Sequence, residues 1–170
     1  SSVIAGSFLF SKDKLSRSTH KVKSLSKVPF QSQIMCLYFT DMKVDKIIAL
    51  IKERVGSNSE LPGWKSHKKM AVIPINSITE KAFIPPKDAK QASVSIILFE
   101  ENNQLFFLLT KRTDNVEHHK GQVSLPGGAI DKNETAQNAS LRETKEEIGI
   151  DSSTLKSLGQ LSSLYTPVSY

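Results

Sequence analysis

Two apolar runs separated by four polar residues constrain this 170-residue chain more than any other feature. Residues 93–99 (SVSIILF) and 104–110 (QLFFLLT) flank the segment Glu100 to Asn103. Each run is strand-sized, and together they predict a β-hairpin. The first run has no polar side to turn towards water, so it is expected to be buried on both faces. Neither run approaches the length of a membrane span, and no membrane partner is expected.

Around this hairpin the chain divides unevenly. From Val44, apolar residues at 44, 47, 48, 51 and 55 predict one face of a helix ended by Gly56. Turn residues and a basic cluster follow over 57–69. Pro85 and Pro86 exclude regular structure at that point. A polar loop spans 111–121, a short strand is expected at 121–125, a helix at 134–148 closed by Gly149, and a further strand at 157–165. Residues 1–41 hold nine serines, no glutamate and little hydrophobic period. That composition fits either a targeting presequence or an extension outside the working domain. The reading adopted is a basic, Ser-rich extension over 1–41 and a working domain over 42–170.

The formal charge is +6 at pH 7. Six Lys/Arg and two Asp give +4 in residues 1–41, and 17 Lys/Arg against 15 Asp/Glu leave +2 for the rest. The basic balance is thus mainly N-terminal and lacks interleaved aromatics, so no nucleic-acid partner is expected. One cysteine, Cys36, excludes an internal disulfide framework and fits a reducing, cytoplasmic location; an organelle stays open if 1–41 is a presequence.

Chemistry concentrates between Gly127 and Ile150. Successive helical residues advance by about 100°. Leu141, Thr144 and Ile148 therefore share one stripe, and Glu143, Glu146 and Glu147 share another on the opposite side. Three carboxylates on one face repel each other by a few tenths of a kcal/mol per pair in an isolated helix. A hard divalent cation would neutralise them. Glu134, nine residues before Glu143, is expected on the far side, where an acid in a first turn suits the helix dipole.

This stretch resembles the Nudix box, G-x5-E-x7-R-E-U-x-E-E-x-G-U, where U is bulky and apolar. Gly128, Glu134, Arg142, Glu143, Glu146, Glu147, Gly149 and Ile150 fall on the pattern; Thr144 stands where an apolar residue is usual. The resemblance implies an α/β fold, the Nudix α/β/α sandwich with a mixed sheet, and hydrolysis of a nucleoside diphosphate linked to another moiety. It implies Mg²⁺ or Mn²⁺ held by Glu143, Glu146 and Glu147 with the Gly127 carbonyl, and Arg142 orienting the glutamates. Nudix domains continue well past the box, so this chain is expected to be truncated at its C-terminus.

Just upstream, Leu108 to Gly128 resembles the signature of coenzyme A-type Nudix hydrolases, L-L-T-x-R-S/A-x3-R-x3-G-x3-F-P-G-G. Leu108, Leu109, Thr110, Arg112, Gly121, Pro126, Gly127 and Gly128 match; Thr113, Glu117 and Leu125 depart. The resemblance implies a small-molecule nucleotide substrate, coenzyme A or an acyl derivative, cleaved at its diphosphate. Another nucleoside-diphosphate derivative and a catalytically silent binding module stay open beside it, the first because Glu117 reverses a charge of the signature. Arg112, Lys111 and Lys120 are the candidate contacts to substrate phosphates. His118 and His119 are adjacent and do not suggest a metal pair.

Overall fold

The computed structural model describes residues 2–11, 32–40, 43–56, 60–67, 69, 84–112 and 121–166. The expected hairpin is its spine. β3 (Lys90–Glu101) and β4 (Gln104–Arg112) pair antiparallel, with Phe99 opposite Phe106. Those two rings stack at a centroid separation of 5.7 Å. Asn102 and Asn103 both have positive φ, as a two-residue turn matching the strands' twist requires.

β1 (Ser2–Ser11) lies beside β3 and runs parallel to it along its whole length, from Ser2 opposite Lys90 to Ser11 opposite Phe99. β2 (Ser32–Thr40) pairs antiparallel with β4. The expectation that residues 1–41 stand apart from the domain is therefore corrected for 2–11 and 32–40. The physical reason is local: VIAGSFLF alternates sides, sending Ser7, Leu9 and Ser11 to full burial. Serine-rich composition averaged over 41 residues hides that period.

β5 (Val123–Ser124) pairs with β4, and β6 (Gly127–Ala129) with β3. The expected strand over 157–165 is two: β7 (Leu155–Gln160) and β8 (Leu164–Thr166), both antiparallel to β1. The main strand order is β2-β4-β3-β1-β7 in one mixed sheet.

A helix covers each face. α1 (Val44–Val55) packs Val44 and Ile47 against Leu98, Leu105 and Leu158. On the other face, α3 (Ala136–Ile148) sets Ile148 against Leu9, Ile97, Phe99, Phe106 and Leu108, with Leu141 alongside. A short helix α2 (Trp64–His67) follows α1. The result is the expected α/β/α sandwich, and no described helix is long and apolar enough to cross a membrane.

Candidate active site

α3 carries the site, and its ends explain its placement. Thr135 caps the helix by accepting the Asn138 N–H at 3.2 Å. Gly149 closes it in the left-handed region at φ 73°, where a side chain is strained. The helix therefore starts at 136, two residues later than expected, and Glu134 precedes the cap.

That shift changes the role of Glu134. Its carboxylate accepts from Arg142 Nε at 3.1 Å and Arg142 Nη2 at 2.9 Å, a bidentate fork. It also accepts the Asp131 N–H at 3.1 Å, which folds the 131–134 turn against the helix. The expectation that Glu134 lies on the far side is thus corrected. Its pKa is held below the ordinary carboxylate value, first by the Arg142 hydrogen bonds and then by that backbone bond.

Arg142 is a hub. Nη1 donates to Glu143 Oε1 at 2.7 Å and to Glu146 Oε2 at 3.3 Å, and Nη2 also donates to the Ala129 carbonyl at 2.9 Å. Its side chain is 29% exposed against 16% for both Glu134 and Glu143, so the pairs with those two are partly shielded from water. Glu146 is 59% exposed and the more loosely held. The hydrogen bonds to Glu134 first, and to Glu143 after it, raise the Arg142 pKa.

The glycines before α3 make room for these acids. Glu147 Oε2 accepts the Gly127 N–H at 3.2 Å. Gly127 has φ 158°, and a Cβ there would run into the Ser93 carbonyl. A Cβ on Gly128 would stand 2.5 Å from the Glu143 carboxyl carbon. The missing side chain of Gly128 lets β6 lie against Glu143 of α3, and that of Gly127 lets β6 lie close on β3 at Ser93 and Val94.

Beneath the helix lies a set of buried hydroxyls. Ser93 donates to the Ala136 carbonyl at 2.7 Å, and Ser95 to the Ser140 carbonyl at 3.1 Å. Thr144 Oγ1 lies 2.7 Å from the same Ser140 carbonyl and 3.1 Å from Ser95 Oγ. Ser93, Ser95, Ser140 and Thr144 are fully buried. Thr144 is thus a polar contact in the core rather than an ill-fitting apolar position. The sequence signal was the Ser-x-Ser alternation in β3, which only the register against α3 turns into a contact.

The remaining expected residues are placed as follows. Ile150 packs on the α3-side core. Lys111, half-buried, lies in β4 opposite Val123, and Arg112 ends the same strand. β5 leads within three residues to Gly127, so both belong to the strand that borders the approach to the box. Lys120, Thr113, Glu117, His118 and His119 lie outside the described residues.

The donor set suits a hard divalent cation: three carboxylates within about one and a half turns beside a glycine backbone. Among the described residues, no three His, Cys, Asp or Glu side chains are drawn together tightly enough to hold one as they stand. Arg142 occupies an oxygen each of Glu143 and Glu146.

Residues 89–170 match the NUDIX domain. The chain is 36% identical over 98 residues to Nudix hydrolase 3 of Caenorhabditis elegans, covering 57% of this chain and 40% of that protein. It is 37% identical over 78 residues to the Nudix hydrolase NudL of Klebsiella aerogenes, covering 45% of this chain and 64% of that protein. It is 42% identical over 66 residues to mitochondrial Nudix hydrolase 15 of Arabidopsis thaliana, covering 38% of this chain and 23% of that protein. The chain thus spans less than two thirds of each of these relatives. No solved structure matches it.

Proposed function

We propose that this chain is a Nudix hydrolase that cleaves the diphosphate of coenzyme A or an acyl derivative. Water is consumed, one P–O bond of the anhydride breaks, and phosphopantetheine (or its acyl form) and adenosine 3′,5′-bisphosphate leave. The observation that carries the reading is the Arg142 hub, which ties Glu134, Glu143 and Glu146 to one guanidinium while Glu147 reaches the Gly127 N–H. This constellation falls inside the segment that matches the NUDIX domain.

Glu143, Glu146, Glu147 and the Gly127 carbonyl would hold Mg²⁺ or Mn²⁺. Such an ion, when bound, neutralises phosphate charge and lowers the pKa of a coordinated water. Arg142 aims Glu143 and Glu146 through the hydrogen bonds that its Nη1 donates to both. Glu134 in turn fixes Arg142. Arg112, Lys111 and Lys120 supply cations for the substrate phosphates.

A second reading keeps the chemistry and changes the substrate to a dinucleotide or nucleotide sugar. Glu117, where the coenzyme A signature has Arg, favours it. For location, we infer a reducing compartment, the cytoplasm or an organelle.

The test is coenzyme A hydrolysis by the 170-residue chain with Mg²⁺ or Mn²⁺, products resolved by chromatography, beside Glu147→Gln. Metal-dependent cleavage that is lost in Glu147→Gln is the expected result. A folded chain that leaves coenzyme A intact but cleaves dinucleotides or nucleotide sugars would select the second reading.

A further inference from the structure

Ser93 and Ser95 are 0% exposed, and burying a hydroxyl is costly unless it is hydrogen-bonded. Both are bonded, and each faces two elements. Through the backbone they hold the segment that carries the box glycines. Ser93 is the register partner of Gly128, and the Ser95 N–H donates to the Pro126 carbonyl at 2.8 Å. Through their side chains they hold α3, Ser93 at the Ala136 carbonyl and Ser95 at the Ser140 carbonyl.

The two bonds fit together because the steps match. Two strand residues advance about 6.8 Å, and four helical residues about 6 Å. Ser93 to Ser95 is the first step and Ala136 to Ser140 the second. Thr144 is the next step along the same helical stripe, and its Oγ1 lies 3.1 Å from Ser95 Oγ. Apolar contact is non-directional and would let a helix slide on the sheet. Hydrogen bonds to helix carbonyls lose their geometry within one residue's rise, about 1.5 Å.

The acids leave little room for such a slide. Glu143 directly precedes Thr144, and Glu147 follows it by less than one turn. Glu147 Oε2 accepts the Gly127 N–H at 3.2 Å, while a Cβ on Gly128 would stand 2.5 Å from the Glu143 carboxyl carbon. Moving α3 along its axis changes both separations.

We infer that Ser93 and Ser95 are positioning residues: a two-rung rack that fixes α3 against the 126–128 segment and so sets Glu143 and Glu147 over the box glycines. The inference rests on the proposed reading of Glu143, Glu146 and Glu147 as acids that hold a divalent ion. It adds two residues outside the box that determine where those acids stand. It also gives the hydroxyl of Thr144 a task, since Thr144 extends the rack by one step.

The test titrates Mn²⁺ into the unmodified 170-residue chain, Ser93→Ala, Ser95→Ala and Ile97→Val, each shown to be folded by thermal unfolding. Ile97 is buried in the same strand under α3, so Ile97→Val controls for lost core stability alone. Both serine variants should bind Mn²⁺ about tenfold more weakly, and Ile97→Val as tightly as the unmodified chain. Unchanged affinity in the serine variants, or an equal loss in Ile97→Val, would overturn the rack. If the unmodified chain does not bind Mn²⁺, the metal reading itself fails, and hydrogen exchange of the Gly127 amide without metal decides the rack. Exchange about fivefold faster in the serine variants than in Ile97→Val supports it; equal exchange overturns it.

Discussion

Arg142 and Glu134 form a two-point fork, Nε at 3.1 Å and Nη2 at 2.9 Å from the two carboxylate oxygens, across the junction between the 131–134 turn and α3. The rest of the acidic face is organised from this pair, because the third guanidinium nitrogen is left to reach Glu143 and Glu146.

Glu134→Gln keeps the shape of the side chain and removes its charge. Gln offers one carbonyl oxygen to a fork that needs two acceptors. We expect metal affinity to fall by about 10–100-fold, the usual cost of losing a partner behind the ligands, with the fold retained. Titration of Mn²⁺ against the variant checks it; unchanged affinity would remove Glu134 from the site's support.

Thr144→Val conserves volume and deletes the hydroxyl. If Thr144 were only a poor substitute for an apolar residue, valine would leave stability equal or better. The contacts to the Ser140 carbonyl and Ser95 predict instead a loss of about 1 kcal/mol. Urea unfolding of Thr144→Val, Ser95→Ala and the double variant measures both the loss and the coupling between the two hydroxyls.

Leu9→Ala tests whether residues 2–11 belong to the domain. Leu9 is 0% exposed and packs in the core beneath α3. A buried leucine truncated to alanine costs about 2–5 kcal/mol, whereas the same change in a detached extension costs nothing. Thermal unfolding of the variant separates the two.

Asp151 lies beyond the C-terminus of α3, where its carboxylate accepts from the Ser153 N–H at 3.0 Å and meets Lys145 Nζ at 3.0 Å. The Ser153 backbone bond first, and Lys145 after it, lower its pKa to about 2. A depressed carboxylate stabilises the fold above its unfolded pKa, near 3.8, and that contribution is lost as pH falls towards 2. The side chain is 51% exposed, so the effect is small and best read at the residue itself. Carboxyl NMR titration should give a midpoint near 2 in the unmodified chain and a higher one in Lys145→Gln.

Much of this site was legible in the residues alone. Helical spacing separated the Thr144 and Ile148 stripe from the glutamates, and both residues are buried as that spacing requires. The glycine at 149 ended the helix where expected. What was not legible depended on contacts between distant segments. Glu134 reaches Arg142 only because Thr135 starts the helix one residue after it, a boundary that periodicity does not fix. Ser93 and Ser95 read as strand residues; their bonds to α3 follow from the register of β3 against the helix. β1 was hidden for a different reason, since its pairing partner lies 88 residues away, Ser2 against Lys90.

That separation shapes how the sheet comes together. The β3–β4 hairpin closes across a two-residue turn, while β1 joins β3 only after a loop of 88 residues has been drawn shut. Loop closure costs entropy that grows with length, and parallel pairing between remote segments is slow for that reason. The seat between β3 and β7 is therefore filled late, after the hairpin that borders it. Until β1 docks, one edge of β3 offers its amides and carbonyls to any extended strand, including one from another molecule. The acidic helix, packed over β1 and β3 alike through Leu9 and Ile97, acquires its final footing in the same late step.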